Sequence, residues 1–201
     1  MSHPAFPSHG GLPHGGRIAN ARLFFRRWLA NPLQMGSIVP SSPALCRRIA
    51  RHARCRDDEL VVELGAGTGV ISQALLESGV AAHRLVVVEI VPALAEHLGH
   101  ILPGVRVVQG DARALPELVA GDARRVGSVV CGVPLVLLPL REQRRFVASM
   151  IAVAGARGFL HYSYCVTSPL PAGRLGLTAK RVAWTPLNVP PASVWRYVPA
   201  D

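Results

Sequence analysis

From Leu60 onward the chain alternates short apolar runs with longer stretches in which apolar residues recur every three or four positions. Leu60–Leu64, Leu85–Glu89, Val105–Gln109, Ser128–Cys131 and Phe159–Tyr164 are short runs rich in β-branched and aromatic side chains, and each predicts a strand. Between them Val70–Ser78, Val91–Ile101 and Arg141–Ala154 carry the spacing of helices with one buried face. Leu177–Trp184 and Ser193–Tyr197 are two further β-rich pieces that predict a closing hairpin. Strand–helix alternation of this kind predicts an α/β fold, a mostly parallel sheet with helices on both faces.

Upstream the pattern differs. Residues 1–16 are rich in Pro and Gly, carry no hydrophobic period and predict a flexible leader. From Arg17 to Asn31 the spacing is helical. At 100° per residue Ile18, Ala21, Phe24, Phe25, Trp28 and Leu29 share an arc of about 140°. Arg22, Arg26 and Arg27 fall outside it, as does Leu23, and Pro32 ends the segment. A second helix is predicted from Pro43 to about His52, with Ser42 as N-cap and the proline at the first helical position. The expected organisation is therefore a leader over 1–16, a basic helical arm over 17–56 and a catalytic-sized domain over 57–201.

Composition sharpens this division. The 201 residues are 50% hydrophobic but only 5% aromatic, so the core must be mostly aliphatic. Of the net charge of +10, residues 1–56 supply nine arginines and no acid, a local charge of +9. The remainder holds 13 basic residues (22 − 9) against 12 acidic ones, a charge of +1. A basic front on a near-neutral body predicts an anionic partner, nucleic acid or an anionic membrane surface. Arg22, Phe25, Arg26 and Trp28 are the expected membrane-binding residues, with the apolar face at the headgroup boundary and the arginines against phosphates. The longest apolar run, Val129–Leu140, is too short to span a bilayer and contains two prolines, so membrane contact is expected to be peripheral. The opening residues lack the apolar core of a secretory signal, which predicts a cytoplasmic protein at the inner face of the membrane. Four cysteines without CxxC spacing predict reduced thiols and no metal site.

The densest chemistry lies after the first predicted strand. Glu63-Leu64-Gly65-Ala66-Gly67-Thr68-Gly69 places an acid at the strand end and three alternating glycines in the turn to a helix. Glycines there permit a tight turn and close approach of a ligand to the backbone. The third glycine stands one place earlier than in the GxGxxG dinucleotide fingerprint. Glu89 closes the second strand, twenty positions beyond Gly69, where a carboxylate can accept both hydroxyls of a ribose. Asp111 follows the third strand, where a carboxylate can accept from an adenine amino group. Three acids at the ends of three successive strands mark the edge at which open α/β sheets bind ligands.

Glu63-x-Gly65-x-Gly67-x-Gly69, Glu89 and the Gly110-Asp111-Ala112 turn resemble the S-adenosylmethionine-dependent methyltransferases of the seven-stranded, Rossmann-like class. The resemblance implies seven strands, the last antiparallel, and S-adenosyl-L-methionine as cofactor. It implies that Glu63 with Gly65, Ala66, Gly67 and Gly69 holds the methionine end, that Glu89 and Ile90 take the ribose, and that Asp111 and Ala112 flank the adenine. It adds Cys131, at the end of the fourth strand, to the cofactor-binding set. The blocks FFRRWLANPLQMGSIVPSSPAL, VVCGVPLVLLP, HYSYCVTSP and NVPPASVWRY resemble, more narrowly, bacterial phospholipid N-methyltransferases. That resemblance implies methylation of the amine of phosphatidylethanolamine or its methylated forms, a step towards phosphatidylcholine. Val91 and Cys165 depart from its pattern, which has Asp or Asn near the first position and often Gly at the second.

The rRNA adenine dimethylases have a related core and an N-x-P-Y type motif after the fourth strand. Here Cys131-Gly132-Val133-Pro134-Leu135 lacks both the polar residue and the aromatic. An RNA methyltransferase is the first alternative reading, and a non-enzymatic lipid-binding protein on the same fold is the second. For amine methylation Tyr162 and Tyr164 are the candidate catalytic residues, since their rings favour positive charge growing on nitrogen and a phenol oxygen can orient the amine. Strand alternation puts His161 on the opposite face.

Overall fold

The computed structural model describes residues 41–122, 124–165 and 167–200. The leader and the stretch carrying Arg22, Phe25, Arg26 and Trp28 lie outside the described residues. Within them the elements follow the hydrophobic pattern: α1 (Pro43–His52), β1 (Leu60–Leu64), α2 (Val70–Glu77), β2 (Leu85–Glu89), α3 (Pro92–Ile101), β3 (Arg106–Gln109), α4 (Leu115–Val119), β4 (Val126–Cys131), α5 (Leu140–Ala154), β5 (Phe159–Ser163), β6 (Leu177–Thr185) and β7 (Ala192–Pro199). Their seven strands form one sheet in the order β3-β2-β1-β4-β5-β7-β6. β7 runs antiparallel to both of its neighbours and the other contacts are parallel, as the resemblance implied.

Every residue of β1 and of β2 is buried, because helices cover both faces of the sheet centre. Alternation divides those residues between two cores. Leu60, Val62 and Leu64 pack with Val86, Val88, Phe146 and Met150 on one side. Val61 and Val87 pack with Leu45, Ile49, Ile71, Leu75 and Leu98 on the other. α1 is fixed by sequence-local chemistry: the Ser42 side chain accepts from the Leu45 amide at 3.3 Å, and Leu45, Cys46, Ile49 and Ala50 turn inward while Arg47, Arg48 and Arg51 face solvent.

Two departures from the predicted elements have plain causes. α4, of five residues, is too short to show a helical period. β3 is only partly buried because it is the edge strand, so its apolar run does not mark a sheet centre. The opposite end of the sheet from the glycine turn is closed by Arg84, which is 6% exposed. Its Nε donates to the Glu59 carbonyl at 2.9 Å, and its guanidinium meets Asp57 at 2.8 Å and the Arg56 carbonyl.

Candidate active site

All parallel strands end at one rim, and the predicted acids gather there. Glu89 is 1% exposed and does structural work with both oxygens: Oε2 accepts from the Gly67 amide at 3.0 Å and Oε1 from the Val91 amide at 3.0 Å. A single side chain thus ties the glycine turn to the start of α3. Each carboxylate oxygen keeps a second acceptor site, so the residue can still receive ligand hydroxyls.

The glycines of the turn serve different ends. Gly67 has φ +58° and open space around it, so backbone conformation is what demands a glycine. At Gly69, the N-cap of α2, an added Cβ would sit 2.8 Å from Leu98 and 3.2 Å from Ile101, so this glycine lets α2 pack on α3. Gly65 faces Val133 across the rim, where a Cβ would come within 3.0 Å.

Glu63, also 1% exposed, accepts from the Ser72 hydroxyl at 2.6 Å. Burial pushes its carboxyl up to about 7, the Ser72 bond opposes that shift, and the Glu89 charge adds to it. Asp111 sits at the cleft edge. Burial works against its charge, but the Arg113 side chain and amide hold it below the ordinary carboxylate value. Arg113 also reaches Glu142 at 2.7 Å and lies over the Phe146 ring at 5.8 Å.

Gly65, Glu89, Ile90, Asp111 and Ala112 line one cleft, with Val133 and Phe146 as apolar walls. A buried acid at one end, flat apolar walls and an acid at the far edge suit a nucleoside with its ribose at Glu89 and its base between Ile90 and Phe146. The residues therefore fit S-adenosylmethionine. Cys131 does not join them through its side chain: the thiol is fully buried in the core, with Sγ 3.8 Å from the Val133 carbonyl, and only its backbone stands at the rim. Glu63 and Gly69 likewise act behind the cleft lining, on Ser72 and on α3.

Sequence reasoning missed Ser72, Phe146 and Arg113. A serine on the inner face of α2 and the one phenylalanine of α5 were signals without a local partner. Only the fold brings Ser72 to Glu63 and Phe146 to Ala112.

Of the two candidate catalytic tyrosines, Tyr162 follows Leu160 on the face packed against α1, and Tyr164 lies one residue beyond β5 on that same side. The Tyr162 phenol stands where Gly132 would carry a side chain: a Cβ at Gly132 would be 2.9 Å from that oxygen and 2.8 Å from the Gly65 carbonyl. Burial, and then the Glu63 charge, raise the Tyr162 phenol above its ordinary value, so it stays protonated. Tyr164 is raised by burial, against a hydrogen bond with Ser41. His161 is on the other face, 2% exposed, with Nδ1 3.0 Å from the Cys131 carbonyl, and burial lowers it to about 4.

The strand order and rim site define a Rossmann-like methyltransferase fold. The family model described as a methyltransferase domain matches residues 61–158. An ornithine lipid N-methyltransferase from Singulisphaera acidiphila is 31% identical over 140 residues, covering 66% of this chain and 73% of the relative. A ribosomal RNA small subunit methyltransferase A from Chlorobium phaeobacteroides is 31% identical over 120 residues, covering 58% of this chain and 45% of the relative, so the chain spans less than half of that protein. Among solved structures, a 1,6-didemethyltoxoflavin N1-methyltransferase from Burkholderia thailandensis with bound S-adenosylhomocysteine superposes with a TM-score of 0.62 at 19% identity, over 97% of this chain and 94% of that one. The chain belongs to the S-adenosylmethionine-dependent methyltransferases of the seven-stranded class, and S-adenosyl-L-methionine is its cofactor.

Proposed function

We propose that the chain methylates the amine headgroup of a membrane phospholipid, phosphatidylethanolamine or its partly methylated forms, at an anionic bilayer surface. The observation that carries this reading is the acceptor rim. With Pro134 placed on the proline of the N-x-P-Y pattern, Gly132 takes the polar position and Leu135 the aromatic one. Gly132 has no room for a side chain, and Leu135 is fully buried. Nothing at these positions can sandwich a planar base, whereas the Tyr162 hydroxyl in the same space suits a small amine. The match to a relative whose substrate is an amine-bearing lipid supports the same reading. No helix among the described residues is long and apolar enough to cross a membrane. The proposal places the chain peripherally at the cytoplasmic face, where the basic front meets anionic headgroups.

Under this proposal Glu89 and Ile90 hold the ribose and Asp111 and Ala112 the adenine, while Glu63 acts through Ser72 and the glycine turn on the methionine end. The bound cofactor supplies an electrophilic methyl group. The protein's part is to present a neutral amine at a fixed distance and to keep water away. Tyr162 orients the amine through its hydroxyl, and the rings of Tyr162 and Tyr164 favour the charge that develops on nitrogen. Tyr162 is not the base, because burial keeps its proton in place. His161 is not the base either, since it faces the far side of the sheet and bonds Cys131. The amine's proton leaves to solvent or lipid phosphate at the rim.

Mass spectrometry of lipid extracted after incubation with the cofactor and phosphatidylethanolamine vesicles tests the reading. Mono-, di- or trimethylated headgroups are expected. An unchanged lipid pool, with protein that is folded and binds S-adenosylhomocysteine, contradicts it. The same assay on ornithine lipid separates the two amine headgroups.

A further inference from the structure

The β6–β7 turn exposes an apolar tip at the active-site rim. Leu187 is 72% exposed, Val189 79% and Trp184 49%, the largest values among the big hydrophobic side chains described. The tip is not loose. Asn188, between the two aliphatics, is 1% exposed: its Oδ1 accepts from the Ser42 amide at 2.8 Å and its Nδ2 donates to the Pro190 carbonyl at 2.9 Å. The Leu187 amide donates to the Thr185 hydroxyl at 3.2 Å. With residue 188 riveted inward, residues 187 and 189 must point out.

The position of the turn is as telling as its composition. Ser193 pairs with Ser163, the last residue of β5, so the loop over 186–191 stands at the carboxyl end of the parallel strands. Ser42 is bonded to Asn188, and its neighbour Ser41 is bonded to Tyr164. Two consecutive residues therefore join the apolar tip to the acceptor tyrosine.

Charge completes the surface. Residues 143–200 contain seven basic residues and no acid, and residues 41–56 contain five basic residues and no acid. α1 turns Arg47, Arg48 and Arg51 to solvent, and Arg54 is exposed in the turn that follows it. Arg47 is five residues beyond Ser42, about 8 Å down the helix axis and within a Debye length of the rim.

We propose that the 186–191 loop is a bilayer-docking element, with Leu187 and Val189 entering the headgroup boundary of an anionic membrane, Trp184 at the interface and Arg47, near the start of α1, against lipid phosphate. This rests on the lipid reading above and deepens it: the loop aims the Tyr162–Tyr164 rim at the headgroup layer. Exposed aliphatic tips gain free energy in a lipid boundary and none on a polynucleotide, so the bilayer is the occupant that uses both the apolar tip and the charge.

The test compares the full chain with a Leu187→Ser/Val189→Ser double variant and with Leu187→Asp. Each is floated with vesicles of phosphatidylethanolamine and phosphatidylglycerol. Each is also assayed on monomeric dihexanoyl phosphatidylethanolamine. Vesicle partitioning is expected to fall about tenfold or more, with vesicle methylation falling in step and monomer turnover held within about twofold. Both residues are exposed, and unchanged thermal melting of either variant confirms folding. Unchanged partitioning of the variants, or an equal loss on the monomer, overturns this inference while leaving lipid methylation intact. A wild-type protein that methylates neither lipid form, or that binds RNA and not vesicles, overturns the lipid reading and this inference together.

Discussion

The half of the sheet that holds the cofactor cleft and the half to which the proposed function assigns the acceptor are made of different chemistry. Residues 57–142, which build β1 to β4, contain eleven of the chain's twelve acids. Residues 143–200, which build β5, β6 and β7, contain none. In the first half buried carboxylates organise the backbone: Glu89 holds the Gly67 and Val91 amides, and Glu63 holds Ser72. In the second, phenols, hydroxyls and one carboxamide do the same work. A carboxylate suits a ligand rich in hydroxyl and amino donors. Its absence suits a partner that is itself anionic. Under the proposed function the sheet separates two recognition problems along one rim.

The largest expected contrast between the halves is in their response to pH. Glu63 is raised from 4.5 to about 7, so the folded state keeps a proton that the unfolded chain has lost, and its contribution to stability falls as pH rises from about 4.5 to 7. His161 is lowered from 6.5 to about 4, so the unfolded chain gains a proton first, and its contribution falls as pH drops from about 6.5 to 4. The two slopes oppose each other and nearly cancel between them. Glu63→Gln removes one side. Between pH 6.5 and 4.5 that variant should then lose about 3 kcal/mol more stability than the parent in urea denaturation.

Glu89→Ala removes the tie between the glycine turn and α3 together with the acceptor that the proposed function gives the ribose. Calorimetry is expected to show S-adenosylhomocysteine binding about 100-fold weaker, about 2.7 kcal/mol. Tyr162→Phe acts on the other half: turnover on the lipid amine should fall about tenfold, with S-adenosylhomocysteine affinity unchanged. A matching loss of cofactor affinity would place Tyr162 in the cofactor half and erase the division.

The smallest effect concerns Val91. It is the N-cap of α3 with extended backbone (φ −86°, ψ 116°) and no side chain able to cap. Glu89 accepts the amide of Val91 itself, which leaves the amides of the first helical turn without a side-chain cap. An Asn side chain there could accept from the Ala93 or Leu94 amide, and Val91→Asn should stabilise the protein by about 1 kcal/mol in thermal melts.

The two halves also differ in how far they can be read from sequence. The cofactor half follows local rules: an acid at a strand end, alternating glycines, a second acid at the next strand end. Leu60–Leu64, Leu85–Glu89 and Pro43–His52 appear in the structure with the bounds that the pattern predicts. The acceptor half rests on contacts between distant residues. The bond from Ser42 to Asn188 links positions 146 apart. The room at Gly132 is filled by a phenol from the next strand. Phe146 meets the cleft from a helix whose period reveals only that one face is buried. Cys131 shows the limit on the near side as well, for a place at the strand end did not say which way its thiol would turn.

If the acid-free half receives a lipid amine while the acid-rich half holds the nucleoside, the enzyme must choose lipid when both acceptors are offered at once: methyl-labelled cofactor with phosphatidylethanolamine vesicles and ribosomal RNA in one reaction, followed by solvent extraction. Label is expected on headgroup nitrogen in the organic phase and none in the RNA. Label in the RNA, with the lipid unmarked, would contradict that assignment.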